Sequence, residues 1–205
     1  MLECLTHPAV THVLSVARRP SGHTHEKLTE CLVQDFRDLS PVEEQLSGYD
    51  ACFYCAGVTS VGKSEAEYTV LSYDTPLAFA STLARLNPKL VFTHVTGAHT
   101  DGSEQGPVMW ARVKGKAENA LVQLPMQAVY NFRPGLMKPV LGQKNLKRTY
   151  RLFLPLFPVM KLLFPALTLT EVGRAMIHCV QFGAPKQVLE VEDIRALASA
   201  QAAEN

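Results

Sequence analysis

Six short apolar runs, spaced by stretches of helical character, constrain this chain more than any other feature. The runs are residues 11–17, 31–34, 51–55, 90–95, 128–132 and 187–191. Between them, 65–86 carries Val70, Leu71, Leu77, Leu83 and Leu86, mostly at helical spacing, and 108–124 and 170–182 read as two more helices. Thr168 and Glu171 stand at the spacing of a capping box, where the last of these helices opens. Strand and helix alternating in this way predict an α/β fold, a doubly wound parallel sheet with helices on both faces. Neither an internal repeat nor a low-complexity linker interrupts the pattern, so residues 1–205 read as a single domain.

Composition narrows the function classes. At 205 residues, 47% hydrophobic and 19% charged, the chain is long enough and apolar enough for one ordinary core. A net charge of +1 gives no global attraction to nucleic acid. Five cysteines at irregular spacing, with no signal peptide, point to reduced thiols in a cytoplasmic compartment. Cys52 and Cys55 form a CxxC, but inside a strand pattern residues three apart face opposite ways, so they read as core thiols and no metal site is expected. No stretch reaches the roughly 20 apolar residues of a membrane-spanning helix; residues 152–170 come closest, and Lys161 and three prolines interrupt them.

The densest local pattern is VFTHVTGAHTDGSEQGPVMWARVKGKAE at 91–118. An apolar run ends at Thr96-Gly97-Ala98, a polar loop follows, and a helix then carries Trp110 and Lys114 one turn apart. Together with Arg18-Arg19-Pro20, Asp35-Phe36, Tyr49-Asp50 before CFYCAGVTS, and Arg133-Pro134-Gly135, this segment resembles the atypical short-chain dehydrogenase/reductase group. Those are NAD(P)-binding Rossmann proteins of the nucleotide-sugar epimerase-like kind, and the resemblance covers residues 14–194. It implies a Rossmann-type sheet, a nicotinamide dinucleotide cofactor, and hydride transfer on a small carbonyl or sugar-like substrate.

The resemblance also assigns roles. Thr96 takes the place of the hydroxyl that polarises the substrate oxygen, and Lys114 that of the lysine that holds the nicotinamide ribose and lowers a phenol pKa. The phenol itself is missing: Trp110 stands where the family has its catalytic Tyr, and indole is no useful proton donor or acceptor near pH 7. His94 and His99 flank Thr96 and are the first substitute acids, although a strand histidine is more often structural. Arg18 and Arg19 follow the second strand, where arginine accommodates the 2′-phosphate of NADP; the expected cofactor is NADP, with NAD as the alternative. Asp35 and Phe36 are adenine contacts or simply a strand end. Ala56 and Gly57 form the cofactor edge or a tight strand-to-loop turn. Pro134 belongs to the matching Arg-Pro-Gly strand end. Lys114 could instead join Arg112 and Lys116 in a solvated basic cluster.

The amino terminus departs from the family. A Rossmann unit opens with a strand and a glycine-rich turn that holds the pyrophosphate, and this chain carries neither. In the usual order 3-2-1-4-5-6 the lacking first strand sits at the centre of the sheet. Supplying strand, turn and first helical turns takes about 15–20 more residues, so a late start or a truncated chain is the expectation, and cofactor binding is tied to the turn's presence in the native protein. From Asn119 to Thr170 there is no acidic residue. Residues 136–170 are therefore read as a basic, apolar lid for a phosphorylated or acyl substrate, or, through 144–164, as a peripheral membrane contact; a solvated basic face over a helix pair is the plain alternative. The rival to an oxidoreductase is a non-catalytic dinucleotide-sensing or protein-interaction module with the same fold. Oligomeric state is not legible in the sequence.

Overall fold

The computed structural model describes residues 1–138 and 166–203. The helix α1 (Leu2–Thr6) leads into β1 (Val13–Ala17) and β2 (Leu28–Leu32), and a 3-10 segment at Ser40–Leu46 precedes β3 (Ala51–Tyr54). Next come α2 (Glu65–Thr69), a π-helical segment (Val70–Asp74), α3 (Thr75–Leu86), β4 (Val91–Val95), α4 (Met109–Leu121) and β5 (Ala128–Phe132). The remainder is β6 (Leu136–Lys138), β7 (Ala166–Thr168), α5 (Leu169–Phe182), β8 (Val188–Leu189) and α6 (Val191–Ala203). Every strand pair among the described residues is parallel, as the alternation predicts.

The sheet is split. β1 pairs with β2, while β3, β4, β5 and β8 form a separate four-stranded sheet in that order. In an unbroken doubly wound sheet one more strand stands between β1 and β3, and among the described residues no strand fills that place. β1 and β3 still share a core. Leu14 and Val16 of β1 and Cys52 of β3 pack against one cluster that includes Cys31, Tyr54, Phe79, Leu83 and Phe92. The second cluster lies on the other face, where Phe132, Val91 and Leu189 meet Val172 and Met176 of α5 and Ile194 of α6. Phe92 and Phe132 are fully buried, and burial of each phenylalanine contributes about 1.5–3 kcal/mol.

Several boundaries differ from the sequence reading, each for a physical reason. The second strand lies at Leu28–Leu32 rather than 31–34, because it is an outer strand whose Thr29 and Glu30 face water and so hide its pattern. The long helix expected over 65–86 is broken into three. Pro76 has no N–H to give and crowds the carbonyl four residues back; the backbone widens, and Thr75 N–H turns to Val70 O. The helix α6 and the short β6–β7 pair were not anticipated, although Val191, Ile194 and Ala198 carry helical spacing and bury fully. At the start of α5 the capping box is present: Glu171 N–H donates to the Thr168 hydroxyl, and Thr168 N–H to the Glu171 carboxylate. Of the lid expected over 136–170, only the two ends lie within the described residues. The proposed membrane contact at 144–164 lies outside them. No described helix is long and apolar enough to cross a membrane.

All five cysteines are free. Burial pushes the Cys179 thiol up to about 12, which leaves it a neutral core group at physiological pH.

Candidate functional site

The carboxyl ends of neighbouring parallel strands leave their last carbonyls and loops around an open crevice, the usual ligand position in such sheets. Here β3 and β4 end side by side, and a shallow cleft open to solvent lies over them. Tyr54, Ala56, Gly57 and Val58 line it from β3 and its loop, and His94 and Val95 from β4. Lys114 reaches in from α4, and Leu71, Ser72 and Pro76 from the widened helix. The π-helical segment therefore forms one wall, and Pro76 explains why the backbone opens there.

Lys114 is held by main chain. Its ammonium donates to the Thr96 carbonyl at 3.0 Å, and a Cβ placed on Gly97 would stand 3.7 Å from Nζ. Burial lowers its pKa, opposed by the charge of Glu118 one turn along the helix. The neighbouring cations go elsewhere. Arg112 bonds Glu65 at 2.8 Å and Gly106 O at 2.7 Å, and Lys116 lies 4.5 Å from the centre of the Tyr73 ring. The three are thus not one solvated cluster, and Lys114 alone of them lines the cleft.

Thr96 is buried, and its hydroxyl is turned away from the role the resemblance assigns. It donates to Glu118 Oε1 at 2.6 Å and also lies 3.2 Å from the Phe132 carbonyl. Glu118 is 2% exposed and receives the Arg133 guanidinium through Nε and Nη2. Arg133 continues to Glu190 at 3.0 Å. This chain of charge-assisted bonds ties β4, α4, β5 and the β8 end together, and it fixes the carbonyl that anchors Lys114. The pattern missed Glu118 because a lone acid late in a helix carries no mark of burial.

Trp110 lies one turn before Lys114 and is half-buried, but it does not line the cleft. His94 does, with its Nδ1 3.2 Å from Asn131 Oδ1. Burial drives the His94 pKa down to about 4, so the ring is neutral near pH 7. His99 is exposed in the left-handed region, at φ 66°, in the loop after Thr96. That loop packs onto α4 so closely that a Cβ on Gly115 would fall 1.7 Å from the Asp101 carbonyl oxygen. The requirement for glycine at 115 was a second feature the sequence reading passed over.

The remaining expected contacts are spread along the sheet ends. Ala56 and Gly57 line the cleft, and a Cβ on Gly57 would meet nothing within 4 Å. That is open space into which a planar group can approach the backbone. Arg18 and Arg19 are exposed after β1, with no ion pair among the described residues. Asp35 is engaged by Arg37 through both carboxylate oxygens, which holds its pKa near 2. Phe36 packs edge-on against Phe79, 5.7 Å between ring centres, so its ring serves the core. Pro134 is buried, and its carbonyl accepts from Ala98 N–H at 3.3 Å. Among the described residues no group of His, Cys, Asp or Glu is placed to hold a metal ion.

No family model matches the sequence, and no curated protein matches it. Solved structures do match. The Bordetella bronchiseptica enzyme WbmF in complex with NAD+ superposes with a TM-score of 0.61 at 16% identity, over 94% of this chain and 70% of that one. The fold is of the Rossmann type. A double mutant of DesIV, a dTDP-glucose 4,6-dehydratase from Streptomyces venezuelae with NAD bound, gives 0.60 at 12% identity over 94% and 71%. A glucuronic acid dehydrogenase from Chromohalobacter salexigens gives 0.54 at 14% over 89% and 67%. At these identities the likeness is one of architecture.

The side chains present fit the nicotinamide-ribose end of a dinucleotide. A fixed ammonium stands beside small residues and open backbone at the strand ends.

Proposed function

We propose that this chain is a nicotinamide-dinucleotide-binding protein of the atypical short-chain dehydrogenase kind, acting in the cytoplasm as an oxidoreductase on a small carbonyl or sugar-like substrate. The single observation that carries the proposal is Lys114, held on the Thr96 carbonyl in a cleft at two adjacent strand ends that Gly57 and His94 also line. WbmF and DesIV, which share the fold, are enzymes with NAD bound. In this reading Lys114 bonds the ribose hydroxyls, Ala56 and Gly57 let the cofactor lie close to the backbone, and Arg18 and Arg19 select NADP through its 2′-phosphate. The cofactor supplies hydride chemistry; the protein orients it and keeps one wall of the cleft apolar. This reading takes residues 1–205 as one domain.

The acid is the weak point of this reading. The Thr96 hydroxyl is committed to Glu118, and Trp110 lies outside the cleft lining. This favours, as a second reading, a dinucleotide-responsive module without turnover. Fluorescence titration with NADPH and NADH tests binding, and NADPH consumption with simple aldehydes tests turnover. Binding that weakens at least about tenfold in Lys114→Met supports the shared part of both readings. Arg18→Ala with Arg19→Ala should remove a preference for NADPH worth about 1.5–3 kcal/mol. Binding without turnover, in both the wild type and Trp110→Tyr, selects the responsive module. Turnover abolished by His94→Asn selects the enzyme with a substitute proton-transfer group. No measurable binding of either nucleotide by a folded chain extended at its amino terminus with the strand and glycine-rich turn overturns both.

A further inference from the structure

A row of hydrogen-bonding side chains crosses the sheet at the cleft. Tyr54 of β3 stands opposite His94 of β4, and His94 opposite Asn131 of β5. Residues at one level of neighbouring parallel strands carry their side chains on the same face. The Tyr54 ring lies 5.8 Å from the His94 ring, tilted by 57°, and Asn131 Oδ1 stands 3.2 Å from Nδ1 on the other side. His94 is thereby held between two strands while it lines the cleft that Lys114 also lines.

The bond between imidazole and amide decides where the ring carries its proton. Asn131 is 1% exposed. With Oδ1 against the ring, its amide nitrogen is buried and has no partner among the described residues. Orphaned N–H groups in a core are costlier than an orphaned carbonyl oxygen. Half a turn of the amide brings Nδ2 to the ring at about the same separation and leaves the oxygen as the unpaired atom. Nδ2 then donates to Nδ1, so Nδ1 holds a lone pair and the proton of the neutral ring sits on Nε2. Nε2 has no partner among the described residues, and it is not one of their sealed polar atoms, so it opens on the cleft. Burial, and then the charge of Lys114, keep the ring from becoming a cation. No carboxylate lines the cleft among the described residues. A ligand atom here meets an ammonium and an imidazole N–H, which suits the lone pairs of a carbonyl oxygen.

We propose that Asn131 is the positioning residue for His94, and that His94 presents Nε2–H to the cleft as the donor to a substrate carbonyl oxygen. It fills the polarising role from which the Thr96 hydroxyl is withdrawn by its bond to Glu118. A neutral imidazole serves as such an electrophile where its surroundings forbid the charged form. The donor role rests on reading the Lys114 cleft as a substrate site; the tautomer does not.

The test is isotope-edited NMR of the whole chain, labelled at the histidine nitrogens and held near pH 7, with His94 assigned by the signal that vanishes in His94→Gln. A protonated Nε2 and an unprotonated Nδ1 are expected. The reverse pattern, or a ring averaged between the two, overturns the proposal without need of a further variant. Asn131→Asp supplies a carboxylate that only accepts, and it should move the proton to Nδ1. An unchanged tautomer in that variant overturns the positioning role. Cyclohexanone, a ketone with no donor of its own, should shift the wild-type Nε2 proton saturably and leave the Asn131→Asp ring unshifted. No shift in the wild type, or equal shifts in both, overturns the donor role. Both responses in an amino-terminally extended chain that binds neither nucleotide support this proposal and sink the cofactor reading. A proton on Nδ1 in a chain that does bind nucleotide sinks this proposal alone.

Discussion

The four-stranded sheet and the β1–β2 pair are built from the same kind of strand, yet they are held in opposite ways. β4 has partners on both edges, and four of its five residues are buried. β1 has one partner among the described strands, and all five of its residues are half-exposed. Around β4 the polar groups are also spoken for, through Thr96, Glu118, Arg133 and Glu190. Around β2 the ion pair nearest the strand end, Asp35–Arg37, is local and solvated. Apolar sequence alone does not make a strand interior; a second partner edge and a closed polar network do.

If that contrast is right, the largest losses of stability come from the network behind β4. Glu118→Ala should cost about 3–5 kcal/mol in urea melts, because it leaves Arg133 poorly paired and the Thr96 hydroxyl without its acceptor. A loss below about 1 kcal/mol would mean that the network is ornamental and the contrast false. Asp35→Ala is the matched change in the open half, and it should leave the midpoint unmoved because its partner stays hydrated.

The next largest effect is on pH dependence. The folded His94 ring titrates near 4 rather than 6.5, because burial disfavours its charged form. As pH falls, the unfolded chain therefore takes the proton first. Stability is whole above about 6.5 and is lost progressively down to about 4, by up to about 3 kcal/mol. His94→Gln should flatten this part of the pH–stability curve. Parallel curves for wild type and variant would mean that the ring is hydrated in solution.

Smaller again is Gly115→Ala, at about 1–3 kcal/mol, since the Asp101 carbonyl must move off the helix. Its control is Gly57→Ala at the cleft, where a Cβ meets nothing and stability should hold. Equal effects at the two glycines would contradict the close packing of the 97–108 loop on α4.

The architecture was largely legible because its signals are periodic and local. Alternating strands and helices and the Thr168–Glu171 cap show in short windows. What was not legible depends on residues far apart in the chain. Glu118 finds Thr96 across 22 positions and Arg133 across 15, and nothing near Glu118 announces either. Gly115 is required by a carbonyl from a preceding loop. Pro76 was visible, but the π-helical wall it makes follows from how the backbone accommodates a missing N–H, which periodicity does not report. The fit of Trp110 was illegible for the same reason: helical spacing places it beside Lys114 but does not say that only Lys114 reaches the cleft.

Hydrogen exchange resolved by residue tests the split most directly. With the chain alone in dilute solution, the amides of Leu14, Val16, Ala51 and Phe53 should exchange at least about 100-fold faster than those of Phe92, Thr93 and His94, through local rather than global opening. Val13 and Ser15, bonded to β2, should fall between. Protection of Leu14 and Val16 equal to that of β4 would contradict the account, because it would require a strand already paired where the described residues place none.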